Sequence, residues 1–229
     1  MGLKDWFGKK KIEAPAAPPP ESDEKAEGWD AIEAAFLEHY PGQTDPPHVA
    51  PGVYRMHDLS ENAAAFDGMS AYDAGTFWHL VSFGLTELYA KENVDQPEVS
   101  GFGYELTFRI PKTSERPPAL AFRLLDAIGK AVWGGQDFAP GHTIQTGPID
   151  GRPETKETAM LVLRDPLFPE PLSTPHGQVD LLLLLGVENA LREAVMAAYE
   201  ESEGAEGWEA EIVARIREAN PELVTPLRA

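Results

Sequence analysis

One segment of the sequence, residues 102–110, limits the possible folds more than any other. Its residues alternate strictly between two sets: Phe102, Tyr104, Leu106, Phe108 and Ile110 form the apolar set, and Gly103, Glu105, Thr107 and Arg109 lie between them. Successive side chains of a β-strand point to opposite faces of the sheet, so this period of two predicts a strand with one buried face. We therefore expect a half-buried strand here and a β-sheet in the fold.

Three further segments predict strands. Residues 179–187 contain five consecutive leucines, a run far too short to cross a bilayer. Residues 159–163 form a shorter run of the same kind. Residues 77–89 are apolar and aromatic and contain Gly84, which favours a buried strand that leads into a turn or a short helix.

Other segments carry helical periodicity. In residues 29–40, apolar side chains recur every three or four positions and Pro41 and Gly42 follow at once, which indicates an amphipathic helix and its end. The other predicted helices are residues 120–132, 188–199 and 208–219. Residues 43–75 predict a long loop with a short helix near residues 63–66. Helices and strands in this irregular order predict an α+β fold, a mixed β-sheet packed with helices.

The first 27 residues differ in composition from the remainder. Four lysines, an alanine- and proline-rich stretch and a mixed charged run predict a disordered tail and linker, followed by one domain at residues 28–229. Leu3, Trp6 and Phe7 lie among the lysines, but a lone amphipathic turn is marginal in water. A tether to a membrane or a larger assembly through residues 1–12 is an alternative role for the tail.

Charge and composition exclude several classes of function. The chain carries 19 Lys and Arg against 38 Asp and Glu, a formal charge of −19, which repels phosphate backbones and anionic lipids. We therefore expect no nucleic-acid partner and no stable membrane insertion. Cysteine is absent, which removes disulfides, thiolate metal sites and cysteine nucleophiles. No signal peptide is recognisable, so we expect a cytoplasmic protein.

No catalytic constellation stands out in the sequence. The six histidines follow no metal-ligand spacing, so we expect no metal and no cofactor. Ser70 lies one glycine short of a nucleophile elbow, and we interpret it as a loop serine. Gly101 and Gly103 begin a strand, which favours a bulge or a close backbone contact over a dinucleotide site. His79 is expected to be a core histidine with a backbone partner.

Four segments in order resemble one known family. They are residues 77–89 (FWHLVSFGLTELY), residues 100–110 (SGFGYELTFRI), residues 165–177 (DP through TPHG) and residues 184–187 (LLGV). Together they resemble the Suppressor of fused domain, and the similarity extends from the first predicted helix through residue 217. The resemblance implies an α+β domain, similar to the N-terminal lobe of the family, that binds other proteins and has no established catalytic activity.

The resemblance also implies a class of partner and candidate contact residues. Some short bacterial members of the family are thought to neutralise toxins as immunity proteins, so the expected partner is another protein, either a basic toxin or a regulator. An acidic surface would steer a basic partner toward the chain, although acidity also serves solubility alone. The residues expected to contact the partner are Trp78, His79, Asp165, Pro166, Pro175 and His176.

One catalytic alternative stays open at this stage. The chain has abundant carboxylates, and an enzyme would combine one of them with His79, His142 or His176. Such a site requires at least two titratable groups that converge in a pocket.

Overall fold

The structure is a computed structural model, and it describes residues 25–50, 64–202 and 208–227. In these ranges, eight strands form one mixed sheet and four helices pack on it, which confirms the predicted α+β class. In chain order the elements are α1 (Glu27–His39), β1 (His48–Val49), β2 (Gly68–Asp73), β3 (Phe77–Phe83), β4 (Val99–Pro111), α2 (Ala119–Trp133), β5 (Thr143–Gln145), β6 (Glu157–Arg164), β7 (Leu172–Thr174), β8 (Gly177–Glu188), α3 (Asn189–Glu201) and α4 (Trp208–Ala219).

The two longest strands, β4 and β8, lie side by side at the centre of the sheet. The strand order is β1-β2-β3-β4-β8-β6-β5, and β7 pairs with the first residues of β8. β4 and β8 are parallel, while the other neighbouring pairs are antiparallel. A parallel pair needs a long crossover connection, and the chain from α2 to β7 supplies it.

The position of β8 explains its run of five leucines. Leu182 and Leu184 pack in a cluster with α2 on one face of the sheet. On the other face, Leu181 packs in the cluster that contains α1, and Leu183 packs with α3 and α4. Because helices cover both faces of the sheet, β8 can be apolar at successive positions along this run.

The C-terminal segment, residues 221–227, joins β4 to β8 beyond the point where the two strands pair. The backbone N–H of Thr225 donates to the carbonyl of Arg109 (2.8 Å), and Thr225 Oγ1 accepts a hydrogen bond from the N–H of Gly186 (2.9 Å). Leu223 packs with α3 and α4, whereas Leu227 packs in the α2 cluster. The segment therefore passes from one face of the sheet to the other.

The prediction of a long loop at residues 43–75 is wrong in part, because this range contains β1 and β2. β2 is buried at five of its six residues, but its short sequence, GMSAYD, lacks the clear apolar and polar alternation by which β4 was found. Ser70 lies in β2, with its Oγ 3.0 Å from Nδ1 of His48, so it is not a loop serine. Residues 64–66 are not helical, which contradicts the short helix predicted there, and residue 63 lies outside the described residues.

The strand predicted at residues 102–110 is present, but the prediction that only one of its faces is buried is wrong. β4 is buried at seven consecutive residues before its last, so its polar side chains are buried as well as its apolar ones. Phe102, expected to be buried, has 41% of its surface exposed. Gly101 and Gly103 flank it with φ of 53° and 85°, and the register with β8 shifts across them. The expected bulge is confirmed, because glycine adopts such φ values without strain.

The four predicted helices are confirmed, with ends that differ from the prediction by at most two residues. Residues 84–89, for which the sequence allows a turn or a short helix, form an irregular turn that begins at Gly84 with φ of 131°.

Substitution of Gly186 by alanine tests the close contact between the C-terminal segment and β8. A Cβ atom at this position would lie 2.5 Å from Thr225 Cγ2 and 2.7 Å from Ile149 Cδ1, so both neighbours must shift. We expect Gly186→Ala to lower the free energy of unfolding by about 1–3 kcal/mol, measured by urea denaturation. Gly134→Ala is the control, because its Cβ would meet nothing closer than 3.3 Å. Equal losses in the two variants would contradict this account.

Candidate functional site

A buried polar cluster lies on the α1 face of the sheet, where side chains of β3 and β4 meet Asp165, the residue that follows β6. The pairing of β3 with β4 places His79 opposite Arg109, and the period of two puts Thr107 on the same face as Arg109. Asp165 follows β6 directly, and its N–H donates to the carbonyl of Leu181 on β8 (2.8 Å). Each of these four polar side chains belongs to a residue that is buried.

The carboxylate of Asp165 is the centre of the cluster. Oδ2 accepts hydrogen bonds from Nε2 of His79 (2.8 Å) and Oγ1 of Thr107 (2.7 Å). Oδ1 accepts from Nη2 of Arg109 and from the N–H of Leu167 (3.0 Å). Four donors therefore satisfy a carboxylate that has no exposed surface, which is the condition for keeping a charge inside a protein.

The electrostatics of the cluster favour an ionised Asp165. Burial alone would raise its pKa, but the hydrogen bonds from His79 and Thr107 and the charge of Arg109 outweigh burial and hold the pKa well below its usual range. The guanidinium of Arg109 pairs with this carboxylate inside the fold. Its Nη1 also donates to the carbonyl of Glu222 (2.9 Å), which fastens the C-terminal segment to the cluster.

His79 differs from its prediction in its hydrogen-bond partners. It is buried as expected, but both ring nitrogens meet side chains instead of backbone groups, because Tyr40 OH lies 2.8 Å from Nδ1. Burial lowers the pKa of His79, against the opposing influence of Asp165. A neutral ring fits the geometry, with Nε2 donating to Asp165 and Nδ1 accepting from Tyr40. Burial raises the pKa of Tyr40 to about 12, so this hydroxyl keeps its proton.

A second buried carboxylate, Glu105, holds the turn after β3. Oε1 accepts from the N–H groups of Gly84 (2.8 Å), Leu85 (3.0 Å) and Thr86 (2.9 Å), and from Thr86 Oγ1 (2.8 Å). Oε2 accepts from Oγ of Ser82 (2.5 Å). Burial raises the pKa of Glu105, and these hydrogen bonds oppose the increase. Sequence reasoning missed this side chain, although its signal was the polar row that alternates with the apolar residues of β4.

The residues predicted to contact a partner lie in separate places. His79 and Asp165 are in direct contact, and Pro166 begins the loop above them. Trp78 belongs to the α2 cluster on the opposite face, with Nζ of Lys112 5.3 Å from its ring centroid.

Pro175 and His176 form part of the turn between β7 and β8, near the start of α1. A Cβ atom on Gly28 would lie 3.1 Å from Cδ2 of His176. Pro175 is exposed, whereas His176 is buried. The structure therefore unites three of the six predicted residues, His79, Asp165 and Pro166, and places the other three elsewhere.

The histidines of the catalytic alternative lie at three different positions in the fold. His79 is in β3 and His176 is in the turn before β8. His142 lies just before β5, where its Nδ1 accepts from the N–H of Ala139 (3.2 Å). Across residues 25–50, 64–202 and 208–227, no three His, Asp or Glu side chains are arranged to hold a metal ion, and no helix has the length and apolarity needed to span a membrane.

Removal of the central charge tests the importance of the cluster. Asp165→Asn leaves the buried Arg109 without a carboxylate, and breaking a buried pair in this way costs about 3–5 kcal/mol of unfolding free energy. The matched control is Asp180→Asn, because Asp180 pairs with Arg164 at a partly exposed site where such a bond contributes about 0–1 kcal/mol. Urea denaturation of both variants measures the difference, and similar losses would contradict the proposed role of Asp165.

The lowered pKa of His79 predicts that acid destabilises the fold. The unfolded chain takes up a proton near pH 6.5, whereas the buried ring resists it, so stability is complete above pH 6.5 and falls as the pH drops through the folded pKa. The slope for this one group is at most about 1.4 kcal/mol per pH unit. His79→Asn should remove that contribution from denaturation curves between pH 7 and 5.

Two other groups bear on the same pH experiment. Burial also lowers the pKa of His48, and its contribution has the same sign and remains in the His79→Asn variant. The pKa of Asp165 is lowered in the folded state, so its contribution to the free energy of unfolding is complete above about pH 4 and is lost only at lower pH. An unchanged slope in the His79→Asn variant would refute the buried, neutral histidine.

Sequence relatives share much of this chain. Residues 63–198 match the model of the Suppressor of fused protein family. The chain is 35% identical to the human Suppressor of fused homolog over 120 residues, which cover 48% of this chain and 24% of that protein. It is 31% identical to the mouse homolog over 175 residues, or 70% of this chain and 35% of that protein. The matched region thus spans about a quarter to a third of the length of these relatives.

Solved structures share the fold. A chain of the Sufu–Fu complex crystal structure superposes with a TM-score of 0.72 at 26% identity, covering 88% of this chain and 90% of that one. The crystal structure of Drosophila Suppressor of Fused gives a TM-score of 0.67 at 23% identity, over 89% of this chain and 57% of that one, which shows the same fold. With more than half of its residues matched by the family model, this chain belongs to the Suppressor of fused family.

Proposed function

We propose that this chain is a non-catalytic protein-binding domain that regulates or neutralises a partner protein. The observation that carries the proposal is the similarity, over 88% of the chain, to a chain crystallised in a complex of Sufu with Fu. The internal organisation supports it, because the polar groups of the His79–Asp165 cluster bond to one another instead of converging on an open pocket.

The surface proposed for partner binding is the loop between β6 and β7, residues 165–171. Asp165 anchors its base, and the N–H of Phe168 donates to the carbonyl of Asp165 (2.9 Å). The ring of Phe168 is buried and contacts His39 of α1 edge to face, with ring centroids 5.0 Å apart. Pro169, Glu170 and Pro171 are exposed above this base. A loop held in this way loses little conformational entropy when a partner binds.

We propose different roles for the predicted contact residues. His79 and Asp165 are fully buried, so they support the loop from below, while Pro166 and the exposed residues after it offer the contact surface. Pro175, exposed in the neighbouring β7–β8 turn, is proposed to extend that surface. Trp78 packs on the opposite face and is proposed to act only by stabilising β3.

The charge of the chain favours a basic partner. A formal charge of −19 attracts a cationic protein and accelerates its association, and it disfavours nucleic acid. A toxin domain that acts on nucleic acid is typically basic, and a domain of this kind would neutralise such a toxin by covering its active cleft. We propose this immunity role as the specific form of the regulatory function.

Affinity purification tests the proposal directly. The tagged full chain, recovered from its own cells at about 150 mM salt, should retain one stoichiometric basic protein, since screening at this salt suppresses weak surface attraction beyond about 8 Å. An immunity role further requires that the purified chain abolish a toxic activity of that partner. Repeated recovery of the chain without a stoichiometric protein would overturn the proposal.

A pair of charge reversals then locates the surface. Glu170→Lys lies in the β6–β7 loop, and Glu154→Lys is exposed in the chain before β6, so both variants change the net charge equally. We expect Glu170→Lys to weaken binding of the recovered partner about tenfold, or about 1.4 kcal/mol, and Glu154→Lys to leave the affinity within about twofold of wild type. Equal effects would show that net charge, and not this loop, determines binding.

A further inference from the structure

A groove of about 600 Å³ lies between the end of β8 and helices α3 and α4. It is at the opposite end of β6 from the β6–β7 loop, since Glu157 at the start of β6 lines it. Leu191 of α3 and Ile212 and Ile216 of α4 contribute its apolar lining, and each is only partly buried by the rest of the domain. The groove therefore offers apolar surface that a further segment can cover.

The lining of the groove is acidic. Glu157, Glu188 and Glu218 contribute three carboxylates, against the single guanidinium of Arg215. Lys156 lies 3.8 Å from Glu188, but both side chains are more than half exposed, so this pair neutralises little of the charge. An occupant that complements the groove has apolar side chains on one face and several basic residues, with at most an isolated acidic residue for Arg215.

The first twelve residues of this chain have that chemistry. Leu3, Trp6 and Phe7 occupy positions i, i+3 and i+4, the spacing that places side chains on one face of a helix. Four lysines lie within the same twelve residues, together with one acidic residue before Trp6, Asp5. The lysines complement the three carboxylates of the groove, and Asp5 complements Arg215.

The connecting chain is long enough to reach the groove. α1 begins beside the start of β8, because Gly28 approaches His176, and the groove lies at the other end of β8 on the same face of the sheet. A strand rises about 3.3 Å per residue, so the distance along β8 is about 35 Å. In the extended form that prolines favour, the twenty residues from Phe7 to Glu27 span up to about 60 Å, which exceeds the distance along β8.

We propose that residues 1–12 of this chain dock in the groove between β8, α3 and α4 of the same molecule, with Leu3, Trp6 and Phe7 on its apolar floor. Docking covers apolar surface of α3 and α4 and places the lysines against Glu157, Glu188 and Glu218. The groove is then an intramolecular site, separate from the proposed partner surface, and its occupancy does not depend on the proposed function.

The absence of cysteine permits a direct test by disulfide trapping in the full chain. A Gly2→Cys/Ala219→Cys variant places one thiol beside the docking residues and one on the groove lining. The comparison variant is Gly2→Cys/Gln136→Cys, because Gln136 is exposed after α2, which covers the opposite face of the sheet. Docking raises the effective concentration of the thiols above that of a free tether, so the first variant should oxidise at least about tenfold faster.

Two further sets of changes keep the test specific. Adding Trp6→Ala and Phe7→Ala to the first variant should remove its faster oxidation, and these changes lie outside the groove. Glu188→Lys with Glu218→Lys should reduce it as well, whereas Glu200→Lys with Glu211→Lys, an equal charge change on exposed residues outside the groove, should preserve it.

The outcomes separate the occupants of the groove. Rapid intramolecular oxidation that depends on both the aromatic residues and the groove carboxylates supports the proposal. Equal rates for the two cysteine pairs overturn it, as does an advantage that none of the added changes affects. Disulfides that form between molecules and increase with protein concentration also overturn it, since they identify a second copy as the source of the docked segment.

Discussion

The pair formed by Arg109 and Asp165 is the interaction on which the arrangement of this domain depends. Asp165 receives donors from β3, from β4 and from its own loop, and Arg109 reaches onward to the C-terminal segment. A buried charge is stable only when it is paired and hydrogen-bonded, so each of these elements must take one position relative to the others. The pair thereby links strands, loop and C-terminal segment through directional bonds, in addition to their apolar packing.

The polar row of β4 performs this linking at two places. Arg109 and Thr107 act at the Asp165 cluster. Glu105, two residues before Thr107 in the sequence, holds the turn that follows β3 through four hydrogen bonds to its Oε1. The apolar row of the same strand packs against α2. One face of β4 thus supplies burial and the other supplies directional bonds, and the directional bonds select a single geometry for the core.

This division has a consequence for function. Side chains such as His79 and Asp165 would suggest catalysis if they met in an open pocket, but here their hydrogen-bonding capacity is used within the fold. The two surfaces proposed for recognition are the anchored β6–β7 loop and the acidic groove beside α3 and α4. The two proposed sites lie at opposite ends of β6, so partner binding and docking of the N-terminal segment would not compete for one surface.

Much of the fold was accessible to sequence reasoning, and the reasons for the failures are specific. Helical periodicity located all four described helices, and continuous apolar runs located β3, β6 and β8, because these patterns are local. β2 was missed because its six residues, GMSAYD, show no clear alternation of apolar and polar side chains. His79 and Asp165 both lie in segments that carry the family resemblance. No local sequence pattern, however, shows that two residues 86 positions apart are in contact.

The sequence by itself determined the class of the fold, its family and the apolar face of its central strand, since alternation, helical spacing and motif order are properties of the chain. Only the tertiary structure decided that the polar face of β4 is buried too. That result depends on helices covering both sides of the sheet and on Asp165, which directly follows β6, reaching Thr107 and Arg109. Burial of a charge is a property of assembled elements, so it becomes visible only when the partners meet.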